Sequence, residues 1–392
     1  MRIPYNKQYI DYSDISGVNK VLKSKYLTQG PMVKNFEKKI SQYVKSKYAV
    51  AVSNASAGLH ISCLALGLKR KDIMWTVPNT FVATAACGLH CGANIDFVDI
   101  DDETNNISIE ELKTKLEFSK KKNKLPKIII PVHFSGQPTL QDEIYKLSKK
   151  YRFKIIEDAS HSLGAKYKGN FVGNCKWSNL TVFSFHPVKP ITTAEGGIIT
   201  TNDKKLYLKL LKLRQNGITK NIDEYKIKNK NKWYYEQQDL GFNYRMNEIQ
   251  ASLGVTQLKK LNKINIYRNK IAKIYNKNFI NLPLDIPDMN KDARSTFHLY
   301  VLKLRLKNLK SYSKIFNYIL SKGLDINLHY LPVHLHPLYK KYGFKKGDFP
   351  ISESYAKRSI SIPLFYKMKK IELKKVISVI ISTINHFKSE FK

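Results

Sequence analysis

The sequence predicts an α/β fold: a large, mostly parallel seven-stranded sheet followed by a smaller C-terminal α+β domain. Three observations carry this. Seven short apolar runs rich in β-branched residues recur before residue 245. Helical stretches separate them. After about residue 245 the alternation stops. Strands that alternate with helices pair in parallel and are covered on both faces.

In chain order, the strand candidates are 48–53 (YAVAVS), 73–78 (IMWTVP), 94–100 (NIDFVDI), 127–134 (KIIIPVHF), 153–158 (FKIIED), 180–185 (LTVFSF) and 197–201 (GIITT). The spacing predicts helices at 57–66, 109–118 and 140–151, among others. A long helical stretch, 246–276, is expected to carry the chain from a large domain (1–245) into a small one (246–392). There, 295–306 (STFHLYVLKLRL) reads as a strand, and 312–322 and 369–382 read as helices. The Lys- and Asn-rich segment 219–232 is either a mobile surface loop or a plain solvated connection. In open α/β sheets, ligands gather at the carboxyl ends of strands. That rule points to residues 54–56, 79–81, 158–161 and 184–189.

Composition narrows the function. The chain has 392 residues, 43% of them hydrophobic, which excludes a disordered or fibrous chain and exceeds one ordinary core. Its apolar runs fall well short of the ~20 residues of a membrane span. The opening MRIPYNKQYIDY is polar, so no secretory signal is expected. Lys plus Arg number 68 against 31 acids, a net charge of +37. Such charge can serve nucleic acid or an acidic substrate. Only 9 of the 68 are Arg, they are spread along the chain, and no nucleic-acid motif accompanies them. The excess therefore reads as solvated surface, with no nucleic-acid or membrane partner. Cys63, Cys87, Cys91 and Cys175 are too few for a disulfide framework. CGLHC lacks a second ligand pair at finger spacing. A reducing, cytoplasmic setting is expected. His334 and His336 form HLH without a carboxylate or thiol cluster, so no metal is expected.

Three segments carry chemistry. In Asn54-Ala55-Ser56-Ala57-Gly58 a strand gives way to a helix. Free backbone amides at a helix N-terminus suit a phosphate, although Ser56 could simply cap the helix. In Glu157-Asp158-Ala159-Ser160-His161 an acid ends a buried strand. It needs a cationic partner, such as a heterocyclic cation, or else caps the next helix. In His186-Pro187-Val188-Lys189-Pro190, two prolines hold Lys189 in extended, non-helical backbone. A lysine in a partly dry site can form a Schiff base.

Together these segments resemble the DegT/DnrJ/EryC/StrS family of sugar aminotransferases that use pyridoxal 5'-phosphate. The likeness rests on Glu157-Asp158…His161, Ser184-Phe185-His186…Lys189 and Glu195-Gly196-Gly197, in that order and spacing. It extends from Leu27-Thr28-Gln29-Gly30-Pro31 to His329-Tyr330-Leu331-Pro332-Val333-His334. The resemblance implies fold type I, like aspartate aminotransferase, and a homodimer with shared active sites. Lys189 matches the Schiff-base lysine and proton shuttle, and Asp158 the partner of the pyridinium nitrogen. His161 matches the residue on the ring oxygen. Phe81 matches the ring-stacking aromatic, which is Trp in many relatives. Ser56, Ala57 and Ser184 match phosphate ligands, and Asn243 a phosphate ligand reaching in from the second subunit. For the nucleotide sugar, the likeness points to Tyr5, Lys25, Tyr26, Leu27, Thr28, Ala55, Ser184, Asn243, Asn327, Leu328, His329 and Tyr330.

Within the family, Leu27-Thr28-Gln29-Gly30, Lys189–Gly197 and Asn243–Gly254 are most like the 4-aminotransferases of pseudaminic acid biosynthesis. That implies a UDP-linked 4-keto-6-deoxy-N-acetylhexosamine as acceptor and L-glutamate as donor. Sister enzymes acting on other UDP- or dTDP-keto sugars share parts of these motifs. A non-enzymatic regulator on the same fold is supported only by the charge. Relatives that dehydrate sugars carry His at the lysine position, so Lys189 argues against that chemistry.

Overall fold

The computed structural model describes residues 2–229 and 231–392. All seven expected runs form strands of one sheet: β1 (Tyr48–Val52), β2 (Ile73–Thr76), β3 (Asn94–Phe97), β4 (Ile128–Ile129), β5 (Lys154–Asp158), β6 (Leu180–Ser184) and β7 (Gly197–Thr201). Their spatial order is β1-β7-β6-β5-β4-β2-β3. β2 to β6 pair in parallel, whereas β7 runs antiparallel to both β1 and β6. β4 is much shorter than the apolar run predicts: Pro131 has no N–H to give to the ladder, and the chain then turns into a 3-10 segment at Phe134–Gly136.

Alternate residues on these strands feed opposite faces. Val50, Val52, Ile128, Ile130, Ile156, Val182 and Ile199 join one core. Ala49, Ala51, Phe183 and Ile198 join a second, and Trp75, Ile129 and Ile155 a third. Both faces are therefore apolar, which explains near-continuous hydrophobic runs in place of polar alternation. The outer edge of β1 is guarded. Glu37 accepts from the Ala51 N–H at 2.9 Å, and Arg214 donates to the Ala51 carbonyl at 2.7 Å, so this stretch of edge is not open for pairing.

Helices α1 (Tyr12–Leu22), α2 (Pro31–Val44), α3 (Ala55–Ala65) and α4 (Val82–His90) precede α5 (Ile109–Lys121), α6 (Gln141–Tyr151) and α7 (Lys204–Leu213). The expected 246–276 helix is two helices, α8 (Glu248–Leu258) and α9 (Leu261–Phe279). The break falls at Lys259-Lys260. Lys260 N–H turns back to the Gln257 carbonyl, and Lys260 Nζ is drawn to Asp11 at 2.6 Å and Asp14 at 2.5 Å. Leu261 and Ile264 of α9 remain in a core of the large sheet, whereas Ile271 to Phe279 enter a separate core. That second core covers a three-stranded antiparallel sheet of Leu284–Asp285, Tyr300–Leu304 and Ser359–Ile362, with helices Tyr312–Ser321 and Lys370–His386. The strand read at 295–306 occupies only its second half. The Lys- and Asn-rich segment holds a short bridge at Ile218–Thr219 and a 3-10 turn at Ile222–Glu224; Lys230 lies outside the described residues. Among the described residues, no helix is long and apolar enough to cross a membrane.

Candidate active site

The carboxyl ends of β1, β2, β5 and β6 open onto one cavity of about 730 Å³. Each end delivers a different chemistry. After β1, helix α3 begins at Ala55 with Asn54 as its cap, the Asn54 side chain accepting from Ala57 N–H at 2.8 Å. Ser56 is thus not the cap. The Ala57 amide, a candidate phosphate donor, is already occupied, and Ala57 is buried away from the cavity. The first-turn amides of Ala55 and Ser56 have no i−4 carbonyl to meet, and both residues line the cavity. Gly197 lets β7 approach this turn: a Cβ there would stand 2.6 Å from the Asn54 carbonyl carbon.

Asp158 ends β5, nearly fully buried. Its Oδ1 accepts from Ser160 N–H at 3.1 Å and Ser160 Oγ at 2.6 Å, while Oδ2 accepts from Thr84 Oγ1 at 2.7 Å. No helix follows; residues 159–165 are turns, so Asp158 is not a helix cap. A carboxylate offers about four lone-pair sites. Three are taken, and the remaining acceptor capacity suits a single N–H from a ligand in the cavity.

Lys189 follows β6 in a tight turn, not in extended chain: its N–H donates to the His186 carbonyl at 2.9 Å, with Pro187 at the second turn position. Burial, partly offset by the Asp158 charge, pushes its amine down to about 8. His161 is buried and held well below its usual range by desolvation, with the Lys189 charge and His329 adding to the effect. Ser135 N–H donates to its Nδ1 at 3.2 Å, so the neutral ring carries its hydrogen on Nε2, 3.1 Å from the Tyr330 hydroxyl. Burial also pushes Tyr330 up, with Asp158 and Tyr5 contributing, and takes His329 down to about 4, with Lys189 contributing.

Phe81 caps α4 with its ring largely exposed to the cavity, its centroid 6.2 Å from that of Tyr330. Ser184 lines the same wall. The opposite side comes from the segment Asn327, Leu328, His329 and Tyr330, whose Leu328 and Tyr330 pack against the core of Trp75, Ile129 and Ile155, with Tyr5 from the N-terminal segment. Among the expected residues, Lys25, Tyr26, Leu27, Thr28 and Asn243 do not reach this cavity; all five are exposed elsewhere on the chain. His334 is buried against Glu353 at 3.0 Å, and among the described residues no group of three or more His, Cys, Asp or Glu side chains gathers as a metal site would need. Sequence reasoning did not single out Thr84 and Ser160, which hold Asp158. Thr84 lies one helical turn past Phe81, but nothing in the sequence shows where its hydroxyl points.

The model of the DegT/DnrJ/EryC1/StrS aminotransferase family matches residues 8–381. The chain belongs to this family. It is an enzyme of the aminotransferase type. An uncharacterised protein of Methanocaldococcus jannaschii is 39% identical over 381 residues, covering 96% of each chain. The UDP-4-amino-4,6-dideoxy-N-acetyl-beta-L-altrosamine transaminase of Campylobacter jejuni is 35% identical over 395 residues, covering 99% of each. Helicobacter pylori PseC, an aminotransferase of pseudaminic acid biosynthesis, superposes with a TM-score of 0.90 at 29% identity, over 99% of this chain and 100% of that one. A sugar aminotransferase of Streptococcus pneumoniae, solved in its PLP form, gives 0.89 at 25% identity, over 98% and 99%. These likenesses agree with the fold type I architecture expected for this DegT-family chain.

Proposed function

We propose that this chain is a pyridoxal-phosphate-dependent nucleotide-sugar aminotransferase. It moves an amino group from L-glutamate to C4 of UDP-2-acetamido-2,6-dideoxy-beta-L-arabino-hex-4-ulose, giving UDP-4-amino-4,6-dideoxy-N-acetyl-beta-L-altrosamine. One observation carries the reading. A partly desolvated lysine amine, a buried carboxylate with spare acceptor capacity and an open helix N-terminus share one cavity. That donor set fits the cofactor: an aldehyde needs the amine, a pyridinium N–H needs the acid, and a phosphate needs the amides. The substrate reading is supported by the likeness to the Campylobacter and Helicobacter transaminases.

When bound, pyridoxal phosphate supplies a carbon that accepts and returns the amino group, and a ring that withdraws electrons from it. The protein does the rest. The first-turn amides of Ala55 and Ser56, with the Ser184 hydroxyl, would hold the phosphate. Asp158 would take the ring N–H, and Phe81 would offer a face to the ring. The family likeness puts His161 on the ring oxygen, but His161 already gives its Nε2 hydrogen to Tyr330, so the Tyr330 hydroxyl would be the group that meets that oxygen. Lys189, at about 8, carries a useful fraction of neutral amine near neutral pH and can take a proton from one carbon and deliver it to another. Tyr5 and residues 327–330 close the side on which the nucleotide sugar would lie.

The reading includes a homodimer. Lys25, Tyr26, Leu27, Thr28 and Asn243 would serve the second copy's cavity. The apolar side chains Tyr12, Ile15, Tyr26 and Leu27 are each at least half exposed and would gain from burial against another chain. Four free cysteines fit a cytoplasmic setting.

Borohydride reduction followed by peptide mapping tests the chemistry. The reduced cofactor should sit on Lys189, and Lys189→Ala should show no turnover. A label on another lysine, or no bound cofactor, removes the aminotransferase mechanism drawn here. NMR of the product from the UDP-keto sugar and glutamate tests the substrate. If only a different keto sugar is aminated, the substrate falls and the chemistry stands.

A further inference from the structure

The Asp158 carboxylate is gripped from α4 as well as from its own turn. Thr84, in the first turn of α4 and 1% exposed, donates to Asp158 Oδ2 at 2.7 Å. Its oxygen lies 2.8 Å from the hydroxyl of Thr80, which is also buried. A hydroxyl has one hydrogen. Since Thr84 gives its hydrogen to Asp158, Thr80 must give its own to Thr84. The result is a directed chain, Thr80 to Thr84 to Asp158. Ser160 holds only Oδ1, and a carboxylate pinned at one oxygen still pivots about its terminal torsion, which is intrinsically broad. Thr84 supplies the second point.

We propose that Thr84, backed by Thr80, is a positioning residue. It fixes the rotation of Asp158 so that one lone pair faces the cavity and receives a single heterocyclic N–H. The proposal rests on the cofactor reading above and extends it to residues outside the expected set. The same helix end carries Phe81 as its cap. One rigid element therefore sets both the face on which the ring lies and the acid its nitrogen meets, and a shift of α4 moves the two together.

The test compares Thr84→Val, which keeps the branched shape and loses the hydroxyl, with Thr84→Ser, which keeps the hydroxyl. Thermal unfolding of the apo-proteins checks that each folds. Pyridoxal phosphate labelled with nitrogen-15 in the ring is then bound, and its affinity and ring-nitrogen resonance are measured. Thr84→Val should weaken cofactor binding about tenfold, the scale of one hydrogen bond to a charged group. Its resonance should move toward that of the unprotonated ring, and kcat should fall with an unchanged KM for the nucleotide sugar. Thr84→Ser should restore all three readouts to within about threefold. Thr80→Val, which removes only the relay behind Thr84, should shift the resonance in the same direction by less. If Thr84→Val does not fold, Thr80→Val carries the test alone. A resonance and affinity unmoved in the folded valine variants overturn the proposal. Borohydride labelling of the same samples separates the two readings: a label on Lys189 with an unmoved resonance sinks only the role of Thr84, whereas a label elsewhere sinks the cofactor reading itself.

Discussion

The floor of the cavity and the exposed flank carry their candidate residues in opposite ways. On the floor, Asp158, Ser184 and His161 stand on strand ends or the turns after them, are wholly or partly buried, and are hydrogen-bonded within the chain. On the flank, Lys25 to Thr28 and Asn243 are exposed, and none lines the chain's own cavity. The floor residues named here meet within one copy. Under the proposed dimer, the flank would serve catalysis only against another surface. A strand end fixes a side chain by itself, whereas a surface residue takes its role from whatever covers it.

The largest effect should come from the floor. Asp158→Asn keeps the shape and the Ser160 and Thr84 neighbours but removes the charge that meets a ring cation. Turnover should fall about 100-fold, the scale of losing one preorganised electrostatic partner, while much of the cofactor remains bound. Single-turnover absorbance with glutamate measures it. Wild-type turnover would make Asp158 a structural acid and the floor a mere support.

The flank is tested by mixing chains. Lys189→Ala has no amine, and under the proposed shared site Asn243→Ala should have a weakened phosphate hold. If Asn243 serves the second copy, each mixed dimer regains one intact site, and random pairing of equal amounts should return about a quarter of wild-type activity. If Asn243 acts within its own chain, mixing restores nothing, and the floor-and-flank distinction fails.

The same division explains what could be read in advance. The seven strands were legible because both sheet faces are buried, so Val50/Ala51 or Ile128/Ile129 pairs are apolar throughout. Asp158 stood out because an acid ending a buried strand needs a partner, whereas Lys189 stood out through the family likeness, the extended backbone expected there being a tight turn. Asn54 against Ser56 as the cap was not, since both types cap helices and lie two residues apart. Nor was the break at Lys259-Lys260, where two good helix formers yield to Asp11 and Asp14, which lie about 250 positions away in sequence. Thr84 was invisible for a similar reason. A threonine on a helix declares nothing until tertiary packing shows where its hydroxyl points.

The smallest effect concerns the pH at which the floor accepts its cofactor. Only the neutral amine of Lys189 attacks an aldehyde, so below its pKa the reactive fraction rises tenfold per pH unit. Burial pushes that pKa down to about 8, so the rate at which apo-protein captures pyridoxal phosphate should climb through neutral pH and level off just above 8. A solvent-exposed lysine behaves differently, because its ordinary value near 10.4 keeps the rate climbing through about pH 10. Stopped-flow absorbance across that range distinguishes them. A plateau near 8 places the amine in the desolvated floor beside Asp158. A rate still rising steeply above pH 9 would put it in solvent, and the floor would then lose the property that separates it from the flank.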